Sequence, residues 1–233
     1  MKILTVSGPP SCGKTSVIMH MLEGLKKSGV EAGVIKFDCL SAYDEQRYRR
    51  AGVPVLTGIS ANMCPDHYYI SNIEEGVQWA ARRGLGMLVS ESAGLCNRCS
   101  PHIRDVLAVC VVDCLAGSDT PRKIGPMLRF ADIVVITKGD IVSQAEREVF
   151  AYRVRCANAN AEICFINGIT GQGSYLLERR VMQAQPRSSL EGLRLRFTMP
   201  SSLCSYCMGQ TRIGRDYQMG NARRLKSGGE RDD

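Results

Sequence analysis

The chain's 233 residues include 30 Lys and Arg against 23 Asp and Glu, a net charge of +7, with 44% hydrophobic residues and 11 cysteines. That is enough for one large domain, or one domain with an appendage, and the apolar content is ordinary for a folded protein. No apolar run approaches the roughly 18 residues of a membrane span, and Met1-Lys2 leads into apolar sequence without a leader pattern, so a cytoplasmic protein with no membrane partner is expected.

In chain order, Ile3-Leu4-Thr5-Val6 reads as a short buried strand. Gly8-Pro9-Pro10-Ser11-Cys12-Gly13-Lys14-Thr15 follows and fits G-x-x-x-x-G-K-[ST]. Val17, Ile18, Met21, Leu22 and Leu25 then recur at helical spacing until Lys26-Lys27-Ser28-Gly29. Val34 to Phe37 is a second strand, ending in Asp38. Asp44 to Arg50 reads as a polar helix, and Val53 to Gly58 is followed by a loop holding Cys64, Pro65 and His67. Glu74 to Arg83 is a helix stopped by Gly84. Met87 to Val89, Leu107 to Val112, Ile133 to Ile136 and Ile163 to Ile166 are apolar runs of the kind a strand buried on both faces shows. Between them, Ser143 and Glu146 form a capping box that opens a helix to Ala157, and Gly173 to Gln183 is a last helix.

Strands alternating with helices predict an α/β fold, a mostly parallel sheet covered by helices, of the P-loop NTPase kind. This domain is expected over residues 1–185. The alternation stops near Pro186, so residues 186–233 read as a basic tail with one strand-like run, Leu193 to Met199, and Cys204-x-x-Cys207. Nine Lys and Arg against five Asp and Glu give the tail +4, without the interleaved aromatics of a nucleic-acid binder, so an acidic protein partner or simple solvation is as good a reading.

Ligands in such folds sit at the carboxyl ends of the strands, where the glycine loop, Asp38, Glu91, Asp140 and Asn167 all fall. The backbone from Gly8, Ser11, Cys12 and Gly13 to Ser16 would cradle phosphates at a helix N-terminus. Lys14 would reach the β- and γ-phosphates, and Thr15 would hold Mg²⁺. Glu91 ends an apolar strand, in place to reach Mg²⁺ or position water, and Gly94 could offer its N–H to the γ-phosphate. Asp38 is a second such acid or a strand-end cap. Thr137-Lys138-Gly139-Asp140 matches [NT]-K-x-D. Its aspartate can accept from both N1–H and the 2-amino group of guanine, which adenine lacks, so the nucleotide is GTP. Asn167 could support the base.

Cys96-Asn97-Arg98-Cys99-Ser100-Pro101-His102 follows Glu91 closely, and C-x-x-C lets two thiolates bind one soft metal ion. With Cys204 and Cys207, four thiols could form a Zn²⁺ site or an iron–sulfur cluster, and Cys64, His67 and His102 are further ligand candidates. Cys110, Cys114, Cys156 and Cys164 lie in apolar strands or a helix and read as small hydrophobes.

Glu91-Ser92-Ala93-Gly94, Ser100-Pro101, Val111-Val112-Asp113, Pro121-Arg122-Lys123-x-Gly125-Pro126, Ala131-Asp132 and Thr137 to Asp140 closely resemble the urease accessory and hydrogenase nickel-insertion GTPases, the HypB/UreG family, over about residues 1–180. The resemblance implies a GTP-dependent homodimer that holds nickel or another metal near the subunit interface and couples hydrolysis to its delivery to a client metalloenzyme or its accessory proteins. The urease-type Thr-Gly-Gly-Cys-Pro-His is here Thr57-Gly58-Ile59-Ser60, with Cys64-Pro65-Asp66-His67 later, so the metal loop is displaced. Two other readings stand beside it. One is a nucleotide-gated iron–sulfur electron donor, against which Pro9-Pro10 counts because that class carries an early lysine there. The other is a non-enzymatic GTP-binding regulator.

Overall fold

The computed structural model describes residues 1–40, 43–61, 63–198, 211–214 and 225. Seven strands form one sheet: β1 (Lys2–Ser7), β2 (Ala32–Asp38), β3 (Val55–Ile59), β4 (Met87–Glu91), β5 (Leu107–Asp113), β6 (Ile133–Thr137) and β7 (Glu162–Phe165). Their order is β3-β2-β4-β1-β5-β6-β7, and every pairing is parallel. Parallel neighbours need crossovers, and helices supply most of them: α1 (Lys14–Lys27), α2 (Tyr43–Arg50), α3 (Pro65–Arg82), α4 (Thr120–Lys123), α5 (Pro126–Arg129) and α6 (Gln144–Ala157), with α7 (Ser174–Met182) closing the run.

The strand period of two divides the core between the faces. Leu4, Val6, Val109 and Val111 pack with Val17, Ile18 and Met21 of α1 and Leu177 and Val181 of α7. Ile3, Ile35, Phe37 and Leu88 face α3 on the other side, where Cys110, Val112, Val134 and Ile136 meet Phe150 and Val154 of α6. Because all strands run the same way, their carboxyl ends share one edge, and both candidate sites lie there.

Two sequence expectations change. Cys64, Pro65 and His67 do not sit in a loop. Helix α3 begins at Pro65, with Cys64 as its N-cap, and Pro at the first position supplies a helical φ without wasting a donor. Residues 65–73 are buried all round, so they lack the amphipathic stripe that reveals a helix. Leu193 to Met199 is not a strand where described: one isolated bridge joins Leu195 to Ile103, and Met199 lies outside the described residues. The run is apolar because Leu195 is fully buried in the α3-side core. Core packing thus continues past residue 186. Arg196 fixes it there, reaching both oxygens of Asp132 at 2.6 and 2.7 Å and the carbonyls of Ile103, Val106 and Phe130. Cys204 and Cys207 lie outside the described residues. Among the described residues, no helix is long and apolar enough to cross a membrane.

Candidate nucleotide and metal sites

The glycine loop wraps the N-terminus of α1 in a backbone path that few side chains allow. Gly8, Ser11 and Gly13 have φ of 144°, 60° and 95°. Lys14 Nζ donates to the carbonyls of Gly8 and Pro9, each at 2.9 Å, and reaches Ala93 O at 3.5 Å. It therefore bridges the loop and the segment after β4. Gly94 follows: a Cβ there would stand 1.7 Å from Gly8 O, and its φ is +72°. The Thr137–Asp140 motif is tied to the same loop. Thr137 Oγ1 donates to Cys12 O at 2.7 Å, and Lys138 Nζ donates to Ser11 O at 3.0 Å and pairs with Asp113. Burial pushes the Cys12 thiol up to about 11, so it stays a neutral filler whose carbonyl is the useful group. Ser16 Oγ accepts from Arg47.

Asp140 and Asn167 line one cleft of about 340 Å³ with Phe165, Gly173 and Tyr175. The Asn167 side-chain oxygen accepts the N–H groups of Ile169 and Thr170, so this residue shapes its own loop, leaving its amide donors for a base.

Glu91 is buried at the end of β4. Its Oε1 accepts from Thr15 Oγ1 at 2.8 Å and pairs with Lys36 Nζ at 3.1 Å, and its Oε2 accepts from Tyr48 Oη at 2.8 Å. Lys36 also pairs with Asp44 at 3.1 Å and stands 4.0 Å from Asp38. Asp38 Oδ1 accepts the Cys39 N–H, a strand-end cap. These donors are all oxygens, as Mg²⁺ requires, and an ammonium already lies among them, so the residues fit a hard cation. Sequence reasoning missed Lys36, Asp44 and Tyr48, although a lysine inside an apolar strand signals a buried ion pair.

A second cluster joins the start of α3 to the segment after β4. Cys99 Sγ lies 3.4 Å from Cys96 Sγ, and the ligand atoms of Asp66, Cys96 and Cys99 are all within 4.8 Å of one another. Hydrogen bonding from Cys99 pulls the Cys64 thiol down to about 4, against its burial. The Cys99 hydrogen bond also pulls Cys96 down to about 6, while donating to both neighbours drives Cys99 up. Asp66 is 1% exposed, and burial drives its carboxyl well above the usual range, helped by Cys64 and Cys96 and opposed by Lys14. Asp66 Oδ2 and both ring nitrogens of His67 are buried without hydrogen-bond partners. Native proteins seldom leave such atoms unmatched, so this cluster fits a cation ligated by sulfur with nitrogen or oxygen.

The structure thus brings the predicted Cys96 and Cys99 together with Asp66, which was not among the predicted ligands, and sets Cys64 against Cys99; His67 lies outside the three-residue group. His102 does not join them. It is fully buried behind the glycine loop, with Nδ1 bonded to Thr5 Oγ1 at 2.9 Å and Nε2 within bonding distance of Ser7 Oγ and Met127 O. Burial, then the Arg196 charge, lowers its pKa to about 4, so it is a neutral strut whose two ring nitrogens are already engaged by Thr5, Ser7 and Met127 rather than turned to the thiols.

Residues 2–165 match the family model described as CobW/HypB/UreG, nucleotide-binding domain. The chain belongs to the CobW/HypB/UreG family. An uncharacterized protein of Methanocaldococcus jannaschii is 47% identical over 97% of this chain and 96% of its own length. A urease accessory protein UreG 2 of Bradyrhizobium is 33% identical, over 58% of this chain and 68% of its own length. Among solved structures, the hydrogenase maturation factor HypB of Archaeoglobus fulgidus matches with a TM-score of 0.60 at 20% identity, covering 78% of this chain and 89% of its own. Helicobacter pylori HypB, solved in complex with nickel, matches at 0.59 and 18%, covering 81% and 91%. At those identities the likeness establishes the fold, which is this family's P-loop arrangement.

Proposed function

We propose that this protein is a GTP-hydrolysing metal carrier that loads a soft divalent ion, nickel or zinc, and delivers it during maturation of a client metalloenzyme. The observation that carries the reading is the ten-residue span from Glu91 to Ser100, which contributes to both sites. Glu91 and Gly94 face the phosphate loop, and Cys96 and Cys99 face Asp66.

GTP enters with its phosphates over Gly8–Ser16 and its base in the cleft of Asp140. Lys14 then exchanges the Gly8 and Pro9 carbonyls for phosphate oxygens. Thr15, Glu91 and Asp38 would hold Mg²⁺, which supplies charge neutralisation to the phosphates. Glu91 is kept in place by Tyr48 and, with Asp38, orients the attacking water. Once Lys14 has turned from Ala93, the chain after Glu91 is free to reposition Cys96 and Cys99 against Cys64, Asp66 and His67. Metal affinity then differs between the GTP and GDP states, and the coupling is reciprocal. The relatives named for urease and hydrogenase maturation support this use. Exposed Leu40, Ile59 and Leu95 support a homodimer, and a cytoplasmic address follows from such a client.

The test is nickel and zinc affinity measured with GDP and with a non-hydrolysable GTP analogue. A change of about fivefold or more is expected, and equal affinities overturn the proposal.

A further inference from the structure

Lys36 is a charged residue in the middle of a strand whose other side chains are largely apolar. Its side chain is 4% exposed. Its ammonium lies between two segments that approach from different parts of the chain: Glu91 at the end of β4, at 3.1 Å, and Asp44 in the first turn of α2, also at 3.1 Å, with Asp38 at 4.0 Å. Thr15 Oγ1 donates to the same Glu91 oxygen that Lys36 contacts, at 2.8 Å. The lysine thus stands on the oxygen set assigned above to the divalent cation. Two cations sharing one carboxylate oxygen at this burial repel strongly.

We infer that Lys36 is a tethered stand-in for the divalent cation. Its charge offsets one of the three carboxylate charges and occupies Glu91 Oε1, so a free divalent ion must compete with the tethered ammonium for that oxygen. A nucleotide's phosphates change that balance. They add negative charge and further oxygen ligands, so a divalent ion gains enough to displace the ammonium from Glu91 Oε1. Tyr48 holds Oε2 throughout, which keeps Glu91 in position as Lys36 leaves. Asp44 loses the same partner, so entry of the metal nucleotide is reported to α2. The site becomes specific for the metal–nucleotide pair over either component alone. This inference rests on the Mg²⁺–nucleotide reading of the site.

The experiment counts Mn²⁺ bound to the full chain by electron paramagnetic resonance, taking only the signal that excess Mg²⁺ displaces, which excludes ions held by thiolates. Without nucleotide, Lys36→Met is expected to bind Mn²⁺ at least about tenfold tighter than the unmodified chain, and Lys36→Arg to behave like it. If Lys36→Met fails to fold by circular dichroism, Lys36→Gln removes the charge while keeping N–H donors for the same oxygens. Equal nucleotide-free affinity in the unmodified and neutralised chains overturns the inference, as does tight nucleotide-free binding by the unmodified chain. If no Mg²⁺-displaceable binding appears even with GDP or a GTP analogue, the underlying reading of the site has failed instead.

Discussion

The nucleotide pocket and the thiol cluster share one edge of the sheet but are built in opposite ways. The first is internally satisfied: Lys14, Thr15, Thr137 and Lys138 each bond to another part of the same site. The second holds a buried Asp66 oxygen and two His67 nitrogens without partners, beside two thiols drawn toward the thiolate form. A satisfied site keeps its shape before a ligand arrives. An unsatisfied one carries a cost that a ligand removes, and so binds at the expense of folding stability. A site of the first kind suits a clamp that must be ready, and one of the second suits cargo that must be released.

Gly94 is where the contrast breaks most sharply. Gly94→Val places a branched side chain on the Gly8 carbonyl at a left-handed φ, and GDP binding by calorimetry is expected to fall by at least about a thousandfold with the fold retained. An unchanged affinity would mean that the loop and the segment after β4 are not in close contact.

His102, three residues beyond Cys99, ties the thiol segment to Thr5 and Ser7 of β1. Its folded pKa of about 4 lies below the ordinary 6.5, so below about pH 6.5 the unfolded chain takes up a proton that the folded chain refuses. Stability therefore falls as pH drops from about 6.5 toward 4, by on the order of 3 kcal/mol. Urea melts of His102→Gln are expected to flatten this limb; a limb of the same slope in the variant shows that other groups produce it.

Replacing Cys96 and Cys99 together by Ser removes two soft donors while leaving the phosphate loop intact. Nickel or zinc affinity is expected to drop about a hundredfold, with GDP affinity within about twofold of the parent. Comparable losses of both would erase the distinction between the two sites.

The smallest effect sharpens the contrast most. A buried carboxyl with a raised pKa costs stability as pH rises above its unfolded value. Asp66→Asn should therefore stabilise the metal-free chain at pH 7 by about 1 kcal/mol while weakening metal binding about tenfold. A destabilised variant in thermal melts would show that Asp66 is a structural partner rather than a waiting ligand.

The strands, the capping box at Ser143, the phosphate loop and Asp140 were legible because each is encoded within a few adjacent residues. Backbone geometry at Gly8 and Gly13, and the apolar runs of β5 and β6, are local demands that leave a local pattern. The start of α3 was not legible, since full burial erases helical periodicity over 65–73. His102 misled for a related reason: a histidine beside two cysteines resembles a ligand set, and nothing in the spacing tells that the chain turns its ring behind β1.

The sequence by itself therefore determined the parallel sheet, the phosphate-loop motif and the carboxylates at the strand ends, since these rest on period-two burial and short backbone motifs. Tertiary structure alone decided that Lys36 stands among Glu91, Asp44 and Asp38, and that Asp66 faces Cys96 and Cys99. Both depend on burial beside groups from another segment, Glu91 for Lys36 and Cys96 and Cys99 for Asp66. The order β2-β4-β1 brings those segments together, and no spacing along the chain records which partner a buried charge will meet.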